Sequence, residues 1–220
     1  MSIRKRYEKE ITEVFDKLVL MCRHIEMAIE KCVKALVDHD FELAYEVSDD
    51  HELIDKMERE IEQSCLRILL MEHPVASDFH EVSAALKMIT DLERIGDQAW
   101  DIAEIVTQIG DEEIVERLEH IQQMALIVIQ MVKDGVHAFI NRDLELARSL
   151  EKTDDKVDIL FNTVMSDLTA YIKKNPDNAR QAILLMMITK YFERISDHAV
   201  NIGDWVEYAL TGNRLERSEE

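Results

Sequence analysis

The chain has few of the residues that interrupt helices and few of those that build sheets. Among 220 residues there are five glycines and two prolines, and aromatic residues make up only 6%. Set against abundant Leu, Ile, Met, Glu and Ala, this scarcity points to an all-α protein. Cysteine is also sparse: Cys22, Cys32 and Cys65 are odd in number and form no CxxC pair. They read as free thiols buried as small hydrophobes, which suits a reducing compartment. Positive charge is in deficit, with 26 Lys and Arg against 46 Asp and Glu and a net charge of −20. Such a surface cannot neutralise phosphates broadly, so it argues against nucleic acid and against electrostatic attachment to an anionic membrane. It suits cations or a basic patch on a partner. Apolar runs such as "AILLMMI" at 182–188 fall far short of a membrane span, so no direct membrane insertion is expected. The opening "MSIRKRYEKEITEV" lacks the apolar stretch of a signal peptide. A cytoplasmic protein is therefore expected.

What the sequence does contain is helical periodicity, written twice. Ile11, Phe15, Leu18, Cys22, Ile25, Ile29, Cys32 and Leu36 alternate in steps of four and three, the seam of a long helix in a bundle. After a turn near "DHDFE" at 38–42, a second helix carries Ile54, Met57, Ile61, Cys65 and Ile68. Pro74 breaks the pattern, and Ser77 is a candidate N-cap for a third helix. That helix carries a seam of mostly small residues, including Ala85, Gly96, Ala99 and Ala103, and its expected stop is Gly110. The second half repeats the plan. Ile121, Met124, Val128, Met131, Gly135 and Phe139 form a fourth seam, and "DFELA" at 40–44 returns as "DLELA" at 143–147. Pro176 and Gly212 stand where Pro74 and Gly110 stood. The expected fold is two tandem, pseudo-symmetric three-helix bundles, residues 1–110 and 111–220.

The repeat also duplicates an unfavourable choice. "LERIGDQAWDI" at 92–102 sets Glu93 and Asp97 one helical turn apart, and "FERISDHAVNI" at 192–202 does the same with Glu193 and Asp197. Like charges at that spacing destabilise a helix by roughly 0.2–0.5 kcal/mol per pair. Asp101 and Glu104 extend the first row, and Asn201 and Asp204 the second. Rows of oxygen donors beside a small-residue seam suit hard cations, and a bound cation turns the repulsion into attraction. A second source of donors is the preceding helix of each half: His51 and Asp55 in the first, Asp154 and Asp158 in the second. Such rows also arise as solvated faces in a chain this acidic. Other chemistry is thin. Di-iron bundles use ExxH twice, whereas this chain has only a DxxH at Asp134 and His137, and no phosphate loop is present. His198, Trp100 and Trp205 read as satisfied or packing residues. Arg94 and Arg194 read as ion-pair partners of a neighbouring helix.

The segment "PVASDFHEVSAALKMITDLERIGDQAWDIAE", preceded by "IDKMEREIEQSCLRIL" and echoed by "FERISDHAVNIGDWV", resembles the PhoU family of phosphate-uptake regulators over about residues 5–212. The resemblance implies two similar three-helix bundles with metal sites built from paired E/DxxxD motifs. The implied ligands are Asp55, Glu93 and Asp97, with Asp101 as a further candidate, in the first bundle. In the second they are Asp154, Asp158, Glu193 and Asp197. His51 departs from the motif, where an acid is expected. An imidazole suits zinc or iron better than magnesium or calcium, so iron or zinc is favoured and the two sites are free to differ. The family role implied is negative control of phosphate import and of the phosphate-starvation response. It acts by contact with the phosphate ABC transporter and a membrane sensor histidine kinase. A homodimer is expected, and no catalytic residue. The competing readings are a carboxylate metalloenzyme, oxidase or phosphatase, and a metal-free helical adaptor.

Overall fold

The computed structural model describes residues 3–72, 74–109 and 118–213. Six long helices follow one another: α1 (Ile3–Asp38), α2 (Phe41–Met71), α3 (Ala76–Ile109), α4 (Leu118–Asn141), α5 (Leu144–Lys174) and α6 (Ala179–Thr211). A short 3₁₀ turn, Pro176–Asn178, precedes α6. Among the described residues there is no strand. The expected Gly110 stop and the junction between the two halves lie outside the described residues.

The duplication is visible in the caps. Asp40 accepts a hydrogen bond from the Leu43 amide at 3.1 Å, and Asp143 accepts one from Leu146 at 2.9 Å. Each such N-cap is worth about 1 kcal/mol. The residues just before them, His39 and Arg142, both adopt left-handed backbone with φ of 56° and 57°. The following amides reach back to Ala35 and Ala138, closing α1 and α4 by the same motif. At α3 the cap lies two residues earlier than expected. Helix begins at Ala76, and the Val75 carbonyl, not the Ser77 side chain, receives the Phe79 amide at 2.8 Å. Gly212 closes α6 in the left-handed region at φ 74°, as its sequence position predicts.

The seams read from the sequence are the core. Leu18, Ile25, Ile29, Cys32, Ile54, Ile61, Ile68, Ile89 and Leu92 are wholly buried or nearly so, and Met124, Val128, Ile188, Phe192 and Ile195 match them in the second half. Burial pushes the Cys22 and Cys65 thiols up to about 12, so they are inert. α4 is apolar and long enough by composition to cross a membrane. Its seam residues Ile121, Met124, Val128, Met131 and Phe139 are nevertheless buried within the second bundle. α1–α3 and α4–α6 form the two bundles, and α3 packs lengthwise on α6 to join them. Along that seam Asp91 of α3 accepts from Asn201 and Trp205 of α6, whereas Tyr191 of α6 bonds Asp101 of α3. Position 91 meets 201 as 191 meets 101, the exchange that a pseudo-twofold axis requires.

Candidate metal centre

In the first bundle the donor rows face each other because α2 and α3 approach closely. A Cβ placed on Gly96 would lie 3.1 Å from Ile54 Cγ2, so the glycine seats the isoleucine against the α3 backbone. This brings the His51/Asp55 row of α2 onto the Glu93/Asp97 row of α3. His51 Nε2 lies 2.9 Å from Asp97 Oδ1 and 3.8 Å from Asp55 Oδ1. One donor atom from each of these residues falls within 4.8 Å of the others, and all three residues are half-buried. The His51 ring stacks on Trp100, with centroids 5.0 Å apart and planes 25° from parallel, which fixes its orientation. Nε2 either donates its proton to Asp97 or, with that proton on Nδ1, presents a lone pair to a cation.

The remaining candidates of this bundle surround that group. Glu93 lies on the same row, and its carboxyl is raised above the usual range by burial first and then by the Asp97 charge. Arg94 Nη1 donates to Asp97 Oδ2 at 3.0 Å, and its Nε lies 3.5 Å from Glu93. The arginine therefore pairs within its own helix, not across to a neighbour. Asp101 is engaged elsewhere: it accepts from Tyr191 and faces Arg194, both on α6. Burial and the nearby Glu104 charge raise its carboxyl.

The second bundle assembles the matched positions with different neighbours. Ser196 stands where the first repeat has Gly96, and its buried hydroxyl donates to Asp154 Oδ1. The repeat alignment carried the signal for this residue, since glycine and serine occupy the variable place in "ERI-x-D". Lys190 pairs with Glu193 and lies 5.6 Å over the Phe161 ring. Asp197 keeps an exposed edge, yet its carboxyl is pushed up to about 6, by desolvation first and then by Glu193, Asp154 and Asp158. Asp154 and Asp158 are raised as well, again by burial and then by acidic neighbours. Among the described residues, no group other than His51, Asp55 and Asp97 brings three donor atoms within 4.8 Å. Four carboxylates without a cation repel one another, and here Lys190 and Ser196 draw Glu193 and Asp154 toward themselves.

The donor types of both sets suit a cation, and among the described residues only the first set has three donor atoms gathered within 4.8 Å. The first offers one nitrogen and carboxylate oxygens, a borderline set suited to zinc or iron; the second offers oxygens alone. His198, as its sequence context suggested, is a satisfied residue, with Nδ1 3.0 Å from Asp91 Oδ1.

The PhoU domain model matches this chain twice, at residues 18–106 and 121–206. The chain is 30% identical over 217 residues to the phosphate-specific transport system accessory protein PhoU homolog of Clostridium acetobutylicum, covering 98% of this chain and 99% of that one. To the homolog of the same name from Aquifex aeolicus it is 34% identical over 186 residues, 84% of each chain. The crystal structure of PhoU from Pseudomonas aeruginosa superposes with a TM-score of 0.89 at 32% identity, over 94% of this chain and 100% of that one. The phosphate transport system regulatory protein PhoU from Streptococcus pneumoniae shares the fold, with a TM-score of 0.87 at 24% identity over 96% and 100%. With both halves matched by one domain and the six-helix architecture shared throughout, the chain belongs to the PhoU family.

Proposed function

We propose that this protein is a metal-binding, non-catalytic negative regulator of phosphate uptake and phosphate-starvation signalling. It works in the cytoplasm through contact with the phosphate ABC transporter and a membrane sensor histidine kinase. Family membership supports the phosphate-transport role, since the relatives are named as accessory proteins of that system. The observation that carries metal binding is the convergence of His51, Asp55 and Asp97 from two helices, matched in the second repeat by Asp154, Asp158 and Asp197.

In this reading His51, Asp55 and Asp97, with Glu93 beside them, hold iron or zinc in the first bundle, and Asp154, Asp158, Glu193 and Asp197 hold it in the second. The ion supplies the positive charge that the carboxylates otherwise lack. His51 and Asp55 on α2 are thereby tied to α3, and the matched Asp154 and Asp158 on α5 are tied to α6. Because α3 and α6 also form the seam between bundles, the tie sets the shape of the surface shown to partners.

The test is metal analysis of protein purified without chelator, with partner binding measured before and after metal removal. Wild type should carry metal. Glu93→Ala/Asp97→Ala and Glu193→Ala/Asp197→Ala should each lose the share of one bundle, and metal removal should change affinity for the transporter or kinase. Equal metal content in all three proteins would refute the site, and equal partner affinity with and without metal would refute the mechanism.

A further inference from the structure

The bundles differ again at the end where α2 and α5 begin. In the second, Arg148 of α5 lays its guanidinium on Glu207 of α6: Nη2 donates to Oε1 at 2.6 Å and Nε to Oε2 at 3.1 Å. This is the two-pronged geometry that makes arginine–carboxylate pairs strong. The matched residues of the first bundle are Tyr45 on α2 and Thr107 on α3, so neither member of the pair is present there. Tyr45 is instead 68% exposed. Beside it lies a cavity of about 240 Å³ between α2 and α3, with Tyr45, Ser48, Trp100, Ala103, Glu104 and Thr107 in its lining. At Gly203, the counterpart of Ala103, a Cβ would lie 2.8 Å from the Ala147 carbonyl oxygen, so α5 presses onto α6 there. Position 103 carries a methyl group where the second bundle has a glycine, and Ala103 lines the cavity.

We propose that this cavity is a docking site for an arginine side chain of a partner protein. Tyrosine and tryptophan faces attract a guanidinium, and arginine stacks on them better than lysine does. The Glu104 carboxylate gives the countercharge that Glu207 provides in the second bundle. Trp100 is already held by its stacking on His51, so little order has to be imposed on it when a ligand arrives. The chain's own Arg148 on Glu207 shows that this level of the bundle accepts a guanidinium, and the net charge of −20 favours a basic partner. The inference goes beyond the regulatory reading and does not depend on bound metal, since Tyr45, Glu104 and Thr107 are not proposed ligands.

The experiment follows amide and indole resonances of the full chain during titration with N-acetyl-arginine methylamide, and separately with its uncharged citrulline counterpart. The arginine probe should shift the Trp100 indole and the Tyr45 and Thr107 amides in a saturable way, and the citrulline probe should not. Glu104→Gln should weaken binding at least about tenfold, the scale of losing a charged hydrogen-bond partner, and Tyr45→Ala about two- to fivefold, the scale of an exposed cation–π contact; both positions are exposed. Tyr45→Arg/Thr107→Glu, which copies the second bundle's pair into the first, should block the probe. Equal response to both probes, or undiminished arginine binding in Glu104→Gln and Tyr45→Ala, would overturn the proposal; the spectra themselves report that each variant is folded.

Discussion

In the first bundle Asp97 shares its two oxygens between His51 and Arg94, at 2.9 and 3.0 Å. In the second, the matched Asp197 carboxyl rises to about 6, by desolvation first and then by the charges of Glu193, Asp154 and Asp158, with Lys190 as the opposing charge. An imidazole in place of a carboxylate is one source of the difference, because His51 stands where the second repeat has Asp154; Arg94 on Asp97 and Lys190 on Glu193 are others. The first site carries hydrogen-bonding partners of its own, His51 and Arg94, which hold Asp97 in place. The second is a cluster of like charges in which Lys190 pairs with Glu193 and Ser196 with Asp154. Duplication thus supplied two copies of a frame, and substitutions at a few positions gave them different electrostatics.

The largest expected effect is loss of metal from one bundle at a time. His51→Ala/Asp97→Ala should empty the first site, and Asp154→Ala/Asp197→Ala the second, each by more than the roughly 10–100-fold that loss of an outer partner costs. Metal titration by calorimetry would show two separable sites, each erased by its own variant. His51→Asp should make the first site resemble the second, moving its preference away from zinc toward harder cations.

The packing difference comes next. Gly203→Ala should destabilise the protein by about 1–3 kcal/mol, because the new methyl meets the Ala147 carbonyl oxygen. Ala103→Gly should cost less, about 1 kcal/mol of helix propensity. Denaturant unfolding would compare the two, and equal losses would contradict the assigned spacing.

A subtler contrast is expected between the two aspartates in metal-free protein at pH 7. Asp97→Asn weakens bonds to His51 and Arg94 and should destabilise by about 0.5–1.5 kcal/mol. Asp197→Asn removes a repelled charge and should raise the thermal midpoint. The smallest effect is the pH dependence behind it. The Asp197 carboxyl is raised to about 6 in the folded state, against about 3.9 for an unperturbed aspartate. Between those values the folded chain binds the proton and the unfolded chain does not. This carboxyl's contribution to stability therefore grows as pH falls through that window and is lost as pH rises through about 6. Melting curves of wild type and Asp197→Asn from pH 7 to pH 4 should converge at the acid end. Parallel curves would deny the shift.

The frame was legible in the sequence because its signals are periodic and repeated. The α1 seam from Ile11 to Leu36, the paired turns at Asp40 and Asp143, and the stop at Gly212 all follow from local rules of spacing and capping. The donor rows were legible too, since residues four apart share a helix face. What one helix cannot show is which side chains from another helix answer it. The turn of Asp101 toward Tyr191, the pairing of Arg94 with its own helix, and the Ser196 bond to Asp154 depend on how α3 meets α6 and how α5 meets α6. The start of α3 differs from its sequence expectation by two residues because a serine cap is only a propensity, and the Val75 carbonyl takes the bond instead.

The most direct measurement is a crystal structure of protein purified without chelator, with anomalous data collected across the iron and zinc edges. The expected result is ion density in both bundles, bounded by His51, Asp55 and Asp97 in one and by Asp154, Asp158, Glu193 and Asp197 in the other, with the second set drawn closer than in the metal-free arrangement. Absence of anomalous density at both places, with the carboxylates turned to solvent, would contradict it.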